Sequence, residues 1–188
     1  MKIAVIGSGY VGLVSGTCFS EMGNQVTCVD IDSLKIEKLN KGIVPIFEPG
    51  LELIVKKAIN NGFLEANLFL KESDVYIIAV PTPFKGKYHE PDISYVESAA
   101  VSLSTLLKPG DLVILESTSP IGTTEKISER MAELRSDLTF PHQAGEDSDI
   151  RVAYCPERVI PGQIIEELVH NDRVIGGMTP RCSKKAKD

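Results

Sequence analysis

Short apolar runs and amphipathic stretches alternate almost without interruption along this chain. Lys2 to Ile6 is β-branched and apolar, the pattern of a buried strand. Val11 to Met22 follows with Val14, Cys18 and Met22 at helical spacing, and Gly23-Asn24 ends it. Gln25 to Val29 reads as a second strand ending at Asp30, and Ser33 to Asn40 as a helix closed by Gly42. The prolines at 45 and 49 make 42–50 a loop, after which Leu51, Ile54, Val55 and Ala58 share one helix face. A short strand is expected over 67–70 and a buried one over 75–80, halted by Pro81. The polar stretch 84–91 is expected to be a surface loop. Asp92 then caps a helix with an apolar stripe of Ile93, Val96, Ala100, Leu103 and Leu107. A strand at 111–115 and a helix at 122–134, with Ile127, Met131 and Leu134 inward, complete the regular part. Residues 136–150 are acidic and irregular, and 151–154 and 173–175 are expected to be strands.

Strands separated by helices require crossover connections, so the pattern predicts an α/β fold of the Rossmann type. In it a doubly wound, mainly parallel sheet carries helices on both faces. The expected division is a dinucleotide-binding domain over 1–178 and the opening of a further helix over 179–188. Thr179-Pro180 is a strong helix start, with a hydroxyl cap and proline at the first position, and the sequence ends soon after it. A truncated central helix is the expectation from these boundary signals.

Composition narrows the classes. With 43% hydrophobic residues in 188, a sizeable core can form. A net charge of -6 disfavours nucleic acid and acidic membranes as partners, since both need clustered lysine and arginine. No apolar run approaches the roughly 18 residues of a membrane span. Cys18, Cys28, Cys155 and Cys182 match neither metal-ligand nor CxxC spacing, so no metal is expected and reduced thiols in a cytoplasmic protein are the reading.

The strongest chemical signal is Gly7-Ser8-Gly9-Tyr10-Val11-Gly12, directly after the first strand and opening the first helix. In this GxGxxG, Gly7 permits the tight turn, Gly9 lets the backbone approach a pyrophosphate, and Gly12 lets helix and strand pack closely. The helix start offers unpaired N–H groups to phosphate oxygens. Asp30 ends the second strand, where a carboxylate accepts hydrogen bonds from ribose hydroxyls and repels a 2′-phosphate. NAD is therefore favoured over NADP. Lys35, one turn into the next helix, is placed near the adenine ribose or simply in solvent.

Three later strand ends carry small polar residues: VPTP at 80–83, ESTSPIG at 116–122 and YCPER at 154–158. Ligands of a doubly wound sheet gather outside the carboxyl ends of the strands, so these segments are nicotinamide and substrate contacts or, equally, ordinary turn and cap residues. Together with GSGYVG at 7–12 and VD at 29–30, they resemble the UDP-glucose/GDP-mannose dehydrogenase family along the whole chain. VPTPFKG, HEPD, YVESAA, ILESTSP, YCPERVIPG and NDRVIGG are most similar to its members acting on UDP-N-acetyl-D-mannosamine.

The resemblance implies oxidation of a sugar C6 alcohol to a carboxylate with reduction of two NAD, in cell-surface polysaccharide biosynthesis. The reaction runs through a thioester on a cysteine and is completed by water. It implies that Tyr10, Val11, Asp30, Thr82, Thr118 and Thr124 contact NAD, and that Arg158 and Val159 border the nucleotide sugar beside Glu157. It gives Thr118 and Glu157 places near the reacting carbon, with Glu157 acting on the hydrolytic water. The family's nucleophilic cysteine and its catalytic lysine and asparagine lie in a segment this sequence does not contain. Cys155 is not expected to replace that cysteine, and His89, His142 and His170 are expected to be solvated. A full-length homodimer is implied. Another nucleotide-sugar 6-dehydrogenase and a stand-alone NAD-binding module remain as alternatives. A 3-hydroxyacid or 6-phosphogluconate enzyme is not expected to combine the VPTP, EST and PER segments.

Overall fold

The computed structural model describes residues 1–188, the side chain of Val169 apart. β1 (Lys2–Ile6), β2 (Gln25–Val29), β3 (Leu64–Asn67) and β4 (Val75–Ile78) lie parallel, as do β7 (Leu112–Leu115) and β8 (Arg151–Tyr154). The sheet order is β3-β2-β1-β4-β7-β8-β9. The last strand, β9 (Gly176–Gly177), runs antiparallel to β8. Chain order reverses between β1 and β4, the place where a doubly wound sheet opens a ligand crevice. A separate two-stranded hairpin is formed by β5 (Phe84–Lys85) and β6 (Glu90–Pro91) within the stretch expected to be loop.

Alternation along the strands divides the core in two, because successive side chains point to opposite faces. Ile3, Val5, Val75 and Ile77 pack with Leu13 and Val14 of α1 (Tyr10–Glu21), Ile36 and Leu39 of α2 (Ser33–Asn40), and Leu51 and Val55 of α3 (Leu51–Asn60). Ala4, Ile6, Tyr76 and Ile78 pack with Val96 and Leu103 of α4 (Ser94–Ser104) and Ile127 and Met131 of α5 (Thr123–Leu134). Both faces of the parallel strands are thereby covered, which explains why they read as continuous apolar runs.

α1 approaches the sheet more closely than its apolar spacing suggests. Its buried face runs through Gly12, Leu13, Ser15, Gly16, Thr17 and Ser20, while Met22 is 76% exposed, not inward as the i, i+4 pattern implied. A Cβ added at Gly16 would come within 3.0–3.4 Å of the Cys28, Val26 and Val5 side chains, so the helix rests close on the strands there. In α5 likewise Leu134 is 45% exposed, and Ser128 and Ala132 are buried with Ile127 and Met131.

Several other boundaries differ from the sequence-based expectation. The third strand is 64–67 instead of 67–70, because Leu64 and Ala66 are the residues that face the core, whereas Phe69 is 76% exposed. The expected strand at 173–175 is displaced to Gly176–Gly177, where the antiparallel ladder with Ala153 and Tyr154 begins. The stretch 136–150 is not wholly irregular: α6 (Pro141–Ala144) and a 3-10 turn (Gly145–Asp147) sit beside fully buried Phe140 and Ile150. His142 belongs to α6, and its Nδ1 lies 2.9 Å from the buried Ser128 hydroxyl, so it is not simply solvated. α7 (Ile164–His170) was not anticipated. It seats Ile164, 0% exposed, against the α1 face of the sheet. Finally α8 (Pro180–Lys187) starts where expected, with the Thr179 hydroxyl accepting from the Cys182 amide at 3.1 Å. Its Cys182 is buried.

One long-range contact pins the first half of the chain to α7. The buried carboxylate of Glu48 accepts from the amides of Gly162 at 2.8 Å and Ile165 at 3.3 Å. The loop 42–50, read only as a connection, thus supplies the polar support under the start of α7.

Phe140 shows how much the supposedly irregular stretch contributes. Phe140→Ala should lower the unfolding free energy by about 3–5 kcal/mol through transfer and cavity terms, as read from urea denaturation. A loss below about 1 kcal/mol, within the range of surface substitutions, would show that this region does not belong to the core.

Candidate functional site: the crevice at the carboxyl edge of the sheet

The turn between β1 and α1 is shaped by two close approaches. Gly7 has φ +100°, and a Cβ there would lie 2.5 Å from the carbonyl oxygen of Ala79, just beyond β4. A Cβ on Gly12 would lie 2.0 Å from the Gly7 oxygen. Neither position admits a side chain, and together they bring the first turn of α1 down onto the edge of the sheet. Gly9 faces open space: a Cβ built on it meets no atom within 4 Å. Gly9 is the N-cap residue of α1, so its open face adjoins the unpaired amides at the helix start. Unpaired helix-start amides beside open space suit an anionic oxygen, and a side chain at Gly9 would fill that space. Tyr10, 43% exposed, and Val11 begin the helix beside it.

Asp30 is tied to that turn. Its Oδ2 accepts from the Ser8 amide at 3.0 Å and from Lys35 Nζ at 2.6 Å, and its Oδ1 accepts from the Asp32 amide at 3.1 Å. Burial pushes this carboxyl up, but the bonds from Lys35, Asp32 and Ser8 outweigh burial and hold it below the ordinary aspartate range. The Lys35 ammonium is paired with Asp30. Lys35 is in reach because Asp32 caps α2, accepting from the amides of Leu34 and Lys35.

On the other side of the crevice the ends of β4 and β7 are knitted together. Ser117 Oγ donates to the carbonyls of Ile78 and Val80, and Thr82 Oγ1 donates to the Thr118 carbonyl at 2.7 Å. Thr82 and Thr118, read separately in the sequence, are therefore one unit. Thr124 lies on the first turn of α5, which starts eight residues after the end of β7.

Beyond β8, the Glu157 carboxylate is 9% exposed, with Oε1 accepting from the Arg158 amide at 2.8 Å and Oε2 lying 2.6 Å from Arg173 Nη1. The Arg158 side chain is exposed and donates to the Asp172 carbonyl at 3.2 Å. Val159 is half-buried against the core on the α1 side. Pro156, Glu157, Arg158, Glu167, Leu168, Asn171, Asp172 and Arg173 line a polar cavity of about 370 Å³. The second face of Arg173 meets Glu116, Nη2 to Oε1, at 2.8 Å. The Glu116 side chain is only 2% exposed, and Ser15 Oγ of α1 donates to the same oxygen at 3.1 Å. Burial pushes Glu116 up, partly opposed by Arg173 and Ser15. Sequence reading missed Ser15, Glu116 and Arg173 as a set. The available signal was an acid placed immediately after the apolar run 112–115, which demands a cation from elsewhere in the chain.

Cys155 is 6% exposed, and burial raises its thiol to about 11. Such a group is protonated at neutral pH and is a poor nucleophile. Among the described residues, no group of three or more His, Cys, Asp and Glu could hold a metal, and no helix is long and apolar enough to cross a membrane.

The model of the UDP-glucose/GDP-mannose dehydrogenase family, NAD binding domain, matches residues 1–188. The chain belongs to this family. It is therefore an NAD-binding domain, and the open glycine cradle with Asp30 one strand away fits that cofactor. UDP-N-acetyl-D-mannosamine dehydrogenase of Escherichia coli (strain K12) is 55% identical over 186 residues, covering 99% of this chain and 44% of the relative. NDP-N-acetyl-D-galactosaminuronic acid dehydrogenase of Ralstonia nicotianae is 49% identical over 185 residues, 98% of this chain and 44% of that protein. The solved UDP-D-ManNAc dehydrogenase of Pyrococcus horikoshii superimposes with a TM-score of 0.91 at 39% identity, over 100% of this chain and 43% of that one. The domain thus spans less than half the length of these relatives.

Two outcomes follow from the site's electrostatics. Asp30 has a lowered folded value, so its contribution to stability is present above the unfolded aspartate value and disappears as pH falls through the folded one. The stability difference between wild type and Asp30→Asn should be greatest above about pH 5 and shrink towards zero on acidification, as followed by denaturant midpoints. A difference that grows on acidification would reverse the sign assigned here. For Cys155, about one thiol in a thousand is ionised at pH 8. Iodoacetamide should leave it unmodified in the folded chain and label it in urea, by mass spectrometry.

Proposed function

We propose that this domain serves the NAD-dependent oxidation of UDP-N-acetyl-D-mannosamine to UDP-N-acetyl-D-mannosaminuronate, for cell-surface polysaccharide synthesis. Overall, a primary alcohol and one water become a carboxylate while two NAD become two NADH and three protons are released. The observation that carries the reading is the joint placement of an NAD cradle and a shielded carboxylate, Glu157, on one edge of the sheet. In the linear sequence these are 150 residues apart, from Gly7 to Glu157. Bound NAD supplies the hydride acceptor; everything else is binding, orientation and proton handling.

In this reading the amides at Gly9, Tyr10 and Val11 hold the pyrophosphate, while Gly7 and Gly12 keep the turn low enough for it to enter. Asp30 accepts from the adenosine ribose hydroxyls, which share or displace the Lys35 contact, and its charge turns away a 2′-phosphate. Thr82, Thr118 and Thr124 line the nicotinamide side, with Thr118 nearest the reacting carbon. Arg158 and Val159 border the nucleotide sugar. Glu157 accepts a hydrogen bond from the water that releases the acid, increasing its nucleophilicity as general base or by orientation. The thiolate that carries the acyl group comes from a segment outside these residues, since Cys155 is buried and protonated. Oxidation of an N-acetylgalactosamine nucleotide is the second reading, favoured by the 49% identity to the Ralstonia nicotianae relative.

Titration calorimetry tests the cofactor site directly. Asp30→Ala should weaken NAD by about 1.5–3 kcal/mol, the scale of hydrogen bonds to a charged group, and should narrow the preference over NADP. Unchanged affinity would remove Asp30 from the site. For the reaction, this 188-residue chain should bind NAD yet give no sustained NADH with UDP-N-acetylmannosamine. The complete gene product should give two NADH per sugar. Steady turnover by the chain alone would refute the placement of the nucleophile, and faster turnover of the galacto-configured nucleotide by the complete protein would select the second reading.

A further inference from the structure

Arg173 belongs to none of the elements that build the cofactor cradle, yet it touches two acids that come from different strand ends. Glu116 stands directly after β7 and Glu157 three residues after β8, and the guanidinium bridges them at 2.8 and 2.6 Å. The two acids are held very differently. Glu116 is fixed: its amide donates to the Ile78 carbonyl, Ser15 of α1 donates to its Oε1, and its side chain is almost wholly enclosed. Glu157 stands on the segment without regular structure between β8 and α7. Its carboxylate is oriented by the Arg158 amide on Oε1 and by Arg173 on Oε2.

A buried carboxylate without a partner is strongly disfavoured, so Glu116 needs the cation. The planar fork of arginine can satisfy one carboxylate with one nitrogen and reach a second with the other, which a lysine ammonium cannot do with the same geometry. Glu116 and Glu157 each still have an Oε2 that is buried and lacks an aligned hydrogen bond. On Glu157 that oxygen is near Arg173 but off the line of its N–H, which leaves it able to accept from a further donor. Burial with unused accepting capacity is what a carboxylate needs to take a hydrogen bond from water or a sugar hydroxyl.

We infer that Arg173 is a positioning residue, which uses Glu116 as a fixed post to set the Glu157 carboxylate at the mouth of the crevice. Through Ser15 the post stands on α1, the helix that opens at the cofactor cradle, so the cofactor and hydrolytic halves of the site share one rigid reference. Here Glu157 has the role given to it under the proposed function, and Arg173 acts only through it.

The complete protein with Arg173→Gln, Arg173→Lys and Glu116→Gln provides the test. Arg173→Gln should lower kcat by about 100-fold, the scale of a misplaced catalytic group, with the Kd for NAD changed less than about threefold. Because the defect falls on thioester hydrolysis, a burst of about two NADH per site should precede the slow phase, the sign of an accumulating acyl-enzyme. Arg173→Lys should recover part of the rate, and Glu116→Gln should fall between Arg173→Gln and wild type and also show the burst. A purely structural role predicts loss of NAD affinity and thermal stability together with rate, and no burst; that result, or wild-type kcat in Arg173→Gln, overturns the inference. If wild type oxidises no nucleotide sugar, the proposed function falls, and the clamp is decided on this chain by carboxyl carbon-13 resonances. Glu116→Gln should then move the Glu157 resonance through Arg173, and an unmoved resonance overturns the clamp.

Discussion

The contact on which the site rests is the near-touch of α1 and β1, where a Cβ on Gly12 would stand 2.0 Å from the Gly7 oxygen. No side chain can enter that gap, so the helix start is lowered to the level of the strand ends. Lowering it sets its free amides at the switch between β1 and β4 and leaves open space at Gly9. It also brings the next turn of the helix within reach of β7, so that Ser15 can bond Glu116. One backbone approach thus underlies both the open space at Gly9 and the anchoring of the acid cluster beyond it. The polar and glycine-rich buried face of α1 is the consequence, because a bulkier helix would ride higher on the sheet.

Much of this was legible in the sequence for a plain physical reason. Buried parallel strands must be apolar on both faces, so β1, β2, β4, β7 and β8 announce themselves as runs, and the GxGxxG turn and Asp30 lie at the ends of such runs. Thr179-Pro180 likewise declares a helix start through local chemistry alone. Departures arise where the deciding partner is distant in sequence. Met22 and Leu134 keep helical spacing but lie at helix ends past the edge of the core. β3 is shifted because register with β2, and not local propensity, chooses Leu64 and Ala66 to face inward.

The site shows the same division. The glycine turn and Asp30 follow from the spacing within one βαβ unit. The pairing of Lys35 with Asp30, and of Arg173 with Glu116 and Glu157, does not, since which cation meets which acid is set by how the elements fold back on one another. Arg173 lies 57 residues from Glu116, in a stretch whose own pattern suggested only a strand. Charge partners of this kind become visible only once the sheet order is known.

Glu48 carries a consequence for how the molecule assembles. Its carboxylate meets amides 114 and 117 residues further along the chain. During synthesis from the N-terminus the glycine turn and the first three strands can form early, from neighbouring segments. The wall of the crevice that carries Glu157 cannot settle until β8 has emerged and residues 162–165 have found their acceptor, a closure of high contact order. The glycine turn should therefore be in place before the segment that carries Glu157 on the folding pathway, with the Glu48 side chain hydrated until residues 162–165 reach it.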